Sequence, residues 1–213
     1  MRKIITLFVG IFVSFIFVPL NCYAANTYIG VGIGQSKAKD AGNCSDLAGL
    51  FDPGYSCSID DTDTSYNFFA GYKFTPNFAA ELGYVNLGKY NIAASGTVSA
   101  TPVSINGDWE PTGFTLSGVG ILPIQPNFSV LGRIGFFNWN VDLNVNASIG
   151  GLPGSGSTSS SGTDLLYGVG VQWDANQQFS VRGEYTRYSN VGDENTTGQS
   201  DIDNLSISAI YNF

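Results

Sequence analysis

Few side chains in this sequence are equipped for chemistry. Histidine is absent, which removes the commonest general base and the commonest metal ligand. Two acids and two bases, Glu81, Glu184, Arg133 and Arg182, stand inside otherwise apolar segments in a chain that is only 12% charged. A charge in such surroundings is costly unless paired. What these four offer is electrostatic: a structural polar network or, alternatively, a gated ion path. A second group, Asp40, Asp46, Asp52, Asp60, Asp61 and Asp63, crowds one stretch. Clustered carboxylates can hold Ca²⁺, but Asp60-Asp61-Thr62-Asp63 lacks the glycine and distal Glu of a calcium loop. A solvated acidic loop is expected, with no metal and no cofactor. The glycine runs Gly30-Val31-Gly32-Ile33-Gly34 and Gly168-Val169-Gly170 lack the strand–loop–helix setting that nucleotide binding needs. No zinc pattern, phosphate loop or Gly-x-Ser-x-Gly elbow occurs.

The first residues read as a secretory leader. Arg2 and Lys3 precede the apolar stretch Ile4 to Val18, Pro19 breaks it, and Cys22-Tyr23-Ala24 is a small-x-small cleavage site. Residues 1–24 are therefore expected to be removed, leaving 25–213 as a single domain. An uncleaved anchor and a lipidated Cys22 are the competing readings. Export to an oxidising compartment leaves Cys44 and Cys57, which as a pair have only one connectivity. A disulfide tying down a long loop is expected. Beyond the leader there are 7 basic against 17 acidic residues, a net charge of −10. Phosphate binding needs a basic face, so nucleic acid is excluded as a partner.

What must position the four bore candidates is a set of alternating segments separated by Gly, Asn, Asp and Pro. Eight can be read. Ile29, Val31 and Ile33 alternate with glycines in the first. Tyr66, Phe68, Ala70, Tyr72 and Phe74 mark one face of the second, and Phe78, Ala80, Leu82 and Tyr84 one face of the third. The fourth, Gly113 to Leu122, is ambiguous, because Phe114/Leu116 and Val119/Ile121 have opposite parity. The fifth sets Phe128, Val130, Ile134 and Phe136 against Arg133; the sixth sets Leu165, Tyr167, Val169, Val171 and Trp173 against Gln172. The seventh sets Phe179, Val181 and Tyr185 against Arg182 and Glu184, and the eighth runs Leu205, Ile207, Ala209, Tyr211, Phe213. This parity sends Glu81, Arg133, Arg182 and Glu184 to the side opposite the apolar face. Connections alternate in length: three are a few residues long, whereas 37–63, 88–110, 142–162 and 189–203 are long. Short turns at one rim, long loops at the other and aromatics near strand ends mark a transmembrane β-barrel. Closure is obligatory there, since hydrocarbon satisfies no free N–H or C=O. The expected fold is an all-β, eight-stranded antiparallel barrel, its bore filled by side chains. The Gly/Ser-rich third loop, 150–162, is expected to be mobile.

The sequence resembles the OmpA-like family of small eight-stranded outer-membrane barrels. The resemblance is carried by Tyr28-Ile29-Gly30-Val31-Gly32-Ile33-Gly34, by Phe69-Ala70-Gly71-Tyr72 with its Thr75-Pro76-Asn77 turn, and by Glu81-Leu82-Gly83-Tyr84. Gly132-Arg133-Ile134-Gly135 and Arg182-Gly183-Glu184-Tyr185 continue it. It implies an inward Glu at Glu81 and an inward Arg at Arg182. The family's best-known member adds a Lys and a second Glu, which map here onto Gly118 and Gln172, so pairing that switches is not expected. Leu205, Tyr211 and the terminal Phe213 resemble the signal read by the barrel-assembly machinery. The chain stops at Phe213, which implies no periplasmic domain. Some small outer-membrane barrels modify lipid A, but those families rely on a His with a nearby Ser, and this chain has no His. The expected role is a non-enzymatic scaffold in a bacterial outer membrane, in contact with lipid and lipopolysaccharide, whose loops meet host or environmental surface ligands as in adhesion. A narrow, low-conductance porin-like channel is the alternative.

Overall fold

A computed structural model of the chain describes residues 26–40, 44 and 49–213. The leader, 1–24, and Asp46 of the acidic stretch lie outside the described residues. The described strands are β1 (Thr27–Ala38), β2 (Ser56–Asp60), β3 (Thr62–Thr75), β4 (Phe78–Asn86), β5 (Tyr90–Val98), β6 (Thr101–Gln125), β7 (Phe128–Ile149), β8 (Leu152–Asp174), β9 (Phe179–Asp193) and β10 (Gly198–Asn212). Eight of them close an antiparallel ring, β1-β3-β4-β6-β7-β8-β9-β10, in which β10 returns to β1 from Tyr28↔Asn212 to Ala38↔Ile202. The eight segments read from sequence are the staves of this ring.

Alternation determines which side of the wall each residue takes. Val31 is 57% exposed and Ile134 65%, values that aliphatic side chains tolerate across a whole belt only when lipid is the solvent. Phe74, Phe78, Phe128, Trp173 and Phe179 point outward near the short-turn rim, and Tyr66, Tyr84, Phe114, Phe136 and Tyr167 bound the belt above. The ambiguous fourth segment resolves without a break in register: β6 pairs continuously with β7 from Gly113 to Leu122 and with β4 from Gly113 to Gly120. Phe114 and Leu116 face out, whereas Val119 is buried and Ile121 packs beside it among Tyr28, Phe69, Ala79, Leu131 and Ile210. An apolar residue facing into the bore is what confused the alternation.

The long connections are largely strand. β6, β7 and β8 run for 25, 22 and 23 residues, whereas spanning takes about 9–11. Their excess rises above the membrane, joined by β5 alongside β6 and by β2 alongside β5. The third loop corrects the expectation of a mobile segment: its Gly/Ser run pairs with β7 without interruption to Ile149↔Leu152. The turn there is Gly150-Gly151, both at positive φ (59° and 84°), the backbone a two-residue hairpin favours. Glycine and serine carry little β-propensity, but β7 supplies a complete ladder for them to join. In the β5–β6 turn Ser99 and Ala100 also take positive φ (51° and 63°), a conformation that costs non-glycine residues. Asp52 clasps this turn, accepting from the Ala100 amide at 3.2 Å and donating its own amide to the Thr97 carbonyl at 2.7 Å. Cys44 and Cys57 form the disulfide, with Cα atoms 5.8 Å apart, which ties residue 44 to β2.

Candidate functional site

Four strands carry the charges of the bore. Glu81 projects inward from β4, Arg133 from β7, and Arg182 and Glu184 from β9. All four lie within one cluster. Arg182 Nη1 donates to Glu81 Oε1 at 2.6 Å, and Arg133 Nη2 donates to the other oxygen, Glu81 Oε2. Arg133 Nε lies 2.9 Å from Glu184 Oε1, close enough for an ion pair but off the hydrogen-bonding direction. Thr186 donates to that same oxygen at 2.8 Å. Two positive and two negative charges cancel, the condition under which burying them is tolerable.

Uncharged neighbours complete the cluster. The Tyr28 hydroxyl donates to Glu81 Oε1 at 2.6 Å. Gln172 Oε1 accepts from Arg182 Nε and Nη2 at 3.2 and 3.0 Å, and its amide passes on to Asp174 at 2.8 Å. The Arg182 guanidinium also lies over the Phe69 ring, 5.3 Å from its centroid. Tyr28 and Phe69 fit because the neighbouring strands offer glycines: a Cβ on Gly71 would stand 2.1 Å from the Tyr28 ring, and one on Gly30 2.2 Å from the Phe69 ring. Sequence reading missed Tyr28, whose shared parity with the glycines of β1 was the only signal. Gly118 faces the outer wall, so it cannot be the family's inward Lys position; the bore-facing residue opposite Glu81 is Ser117. Gln172 does face the bore.

Apolar layers close the cylinder on either side of the charges. Toward the short turns sit Tyr28, Phe69, Ala79, Val119, Leu131 and Ile210. Toward the long-loop end sit Val85, Leu87, Phe137, Trp139, Leu166, Tyr188 and Ile202. Between them a void of about 20 Å³ is lined in part by Arg133, Arg182 and Glu184, scarcely more than one water requires. Leu205 and Phe213 lie on the outer wall, and Tyr211 stacks edge-on against Phe213 at 5.1 Å and Phe179 at 5.3 Å. The Phe213 amide donates to the Thr27 carbonyl at 3.0 Å.

The long-loop half holds the net charge. Of 17 acidic residues only Glu81, Glu184 and Asp174 lie elsewhere, which leaves 14 there by strand and sequence position. The basic residues of that half are Lys37, Lys39, Lys89 and Arg187, so it carries −10. Above the membrane β7 alternates Asn140, Asp142, Asn144 and Asn146 with Val141, Leu143 and Val145, giving the raised sheet one polar face and one apolar face. Among the described residues no group of three or more His, Cys, Asp or Glu could hold a metal ion.

Comparison with known proteins gives a consistent picture. A family model described as OmpA-like transmembrane domain matches residues 23–213. Outer membrane protein A of Klebsiella pneumoniae is 30% identical over 146 residues, 68% of this chain and 40% of the relative. Outer membrane protein A of Serratia marcescens is 28% identical over 193 residues, 87% of this chain and 49% of the relative. The chain thus spans less than half the length of these curated relatives. Among solved structures, Ail, the attachment invasion locus protein of Yersinia pestis, superposes with a TM-score of 0.52 at 19% identity, covering 89% of this chain and 99% of Ail. Ail in complex with the heparin analogue sucrose octasulfate gives 0.51 at 18% identity, covering 88% and 98%.

Proposed function

Because this chain belongs to the family of OmpA-like transmembrane domains, a family of outer-membrane barrels, we propose that it serves as a non-enzymatic scaffold whose raised, acidic sheet makes contacts at the cell surface, adhesion among them. The observation that carries this reading is the bore. Its charges neutralise one another between two apolar layers, and the space among them is about 20 Å³. Such an interior favours a rigid plug over a path. The long-loop end, by contrast, is built up well beyond what spanning needs.

The partners follow from the same division. Lipid and lipopolysaccharide solvate the outer wall, and the barrel-assembly machinery reads Leu205, Tyr211 and Phe213. Surface ligands meet the raised sheet. A sulfated polyanion of the kind found in the Ail complex is not the ligand expected here, because an end carrying −10 repels it.

Single-channel recording in planar bilayers tests the plug, once insertion has been verified by heat-modifiable gel mobility. Silence is expected. A steady, reproducible conductance would favour the second reading, a narrow low-conductance channel, which the void beside Arg133, Arg182 and Glu184 supports.

A further inference from the structure

The long-loop end also holds a cleft of about 310 Å³ whose walls come from the upper end of β1, from β2, β5, β6 and β7, and from the start of β10 with Thr197 before it. Ile59 and Ile92 give it an apolar wall. The rings of Tyr90 and Trp109 stand beside them, centroids 5.6 Å apart and tilted by 40°. Asp40 and Asp60 line the cleft and enter no ion pair among the described residues. Asp108, also in the wall, is already shared by Lys89 at 3.6 Å and Asn144 at 3.0 Å. The disulfide anchors β2, one wall of the cleft, to residue 44, whose carbonyl accepts from the Tyr55 hydroxyl at 2.8 Å.

We propose that this cleft receives an arginine side chain presented by an extended segment of a partner protein. The inference rests on the surface-contact reading and names its chemistry. An arginine meets each feature of the cleft. Its aliphatic stem covers the isoleucines, and its planar guanidinium stacks on aromatic rings and takes carboxylates in a fork geometry. The −10 of this end draws basic partners toward it before contact.

The test uses the full chain in lipid nanodiscs and titration calorimetry with the peptide acetyl-Gly-Arg-Gly-amide, its lysine counterpart, and agmatine, which has a guanidinium but no carbonyl. The arginine peptide is expected to bind more tightly than its lysine counterpart. Asp40→Asn combined with Asp60→Asn should weaken it by about tenfold or more. Trp109→Ala removes a ring on which the guanidinium stacks; it should weaken the peptide and agmatine alike by about fivefold. Heat-modifiable mobility confirms that each variant is folded. Absence of peptide binding to the wild-type chain overturns the inference, as does binding indifferent to all three substitutions. The surface-contact reading is judged separately, by adhesion of cells displaying the wild-type barrel and the triple variant: equal adhesion of both leaves that reading standing and removes the cleft from it.

Discussion

Replacing Arg182 with methionine isolates the electrostatics of the bore, because most of the stem volume stays and the guanidinium goes. The variant loses the 2.6 Å bond to Glu81 and both bonds to Gln172. Two carboxylates then face one guanidinium, and Glu81 is only 1% exposed. Removing one partner of a buried ion pair costs about 3–5 kcal/mol. Combining Arg182→Met with Glu81→Gln restores neutrality and leaves Arg133 facing Glu184 at 2.9 Å. The double variant is therefore expected to be more stable than the single Arg182→Met by about 2 kcal/mol or more. Urea unfolding in lipid vesicles, followed by tryptophan fluorescence and by the fraction running at folded mobility on gels, measures both. The reasoning fails if Arg182→Met lies within about 1 kcal/mol of wild type, or if the double variant loses the sum of the two single losses.

Other expectations concern the packing and the outer sheet. Gly71→Ala must displace the Tyr28 ring, 2.1 Å from the new Cβ, and so costs about 1–3 kcal/mol; Gly132→Ala, with nothing within 4 Å, should be close to neutral in the same unfolding assay. Reducing the Cys44–Cys57 bridge, sequence separation 13, removes about 3 kcal/mol in the chain-entropy model. That loss should fall on β2, seen as faster amide exchange over Ser56–Asp60, while the temperature at which gel mobility changes stays put. Asp52 is held below the usual carboxylate range chiefly by the Ala100 amide, then by the Thr97 hydroxyl and the Ser99 amide. A depressed folded value means its clasp is complete above the unfolded value of about 3.9 and is lost as pH falls through the lower one. The β5–β6 turn should thus stay closed at about pH 4.5, open further down, and be open throughout in Asp52→Ala, as read by exchange of the Ala100 amide.

The ring was legible because lipid imposes a strict rule: strands that span must alternate and must close. Val31, Ile134 and Leu205 announce the outer wall, and the same period places Glu81, Arg133, Arg182 and Glu184 on the other side. Period-two reading faltered where both faces are apolar, as at Val119 and Ile121, which fill the plug beneath the charges. It also misplaced one mapped position, Gly118, by a single residue, and a single residue changes the side of the wall. Above the membrane the rule relaxes. There the fate of Leu152–Gly162 is decided by the ladder β7 offers rather than by its own composition, and β2 and β5 become strands by addition to β6. The cleft was illegible for the same reason: Asp40 and Ile59 belong to one connection and Tyr90 and Trp109 to another, and only the pairing of β2, β5 and β6 brings the two together.

The seam between β1 and β10 sets a condition on biogenesis. The staves that complete the cylinder are the first and the last of the ring in chain order, from Tyr28↔Asn212 to Ala38↔Ile202. No intermediate length of polypeptide can therefore become a finished barrel; a nascent chain short of its final strand has two raw margins and a greasy exterior. Such a chain has to be escorted unfolded until β10 has been made, and its slow step should be the meeting of β1 and β10. A stop codon anywhere within β10 would remove little of the ring's mass, yet it would take away the one strand on which sealing depends.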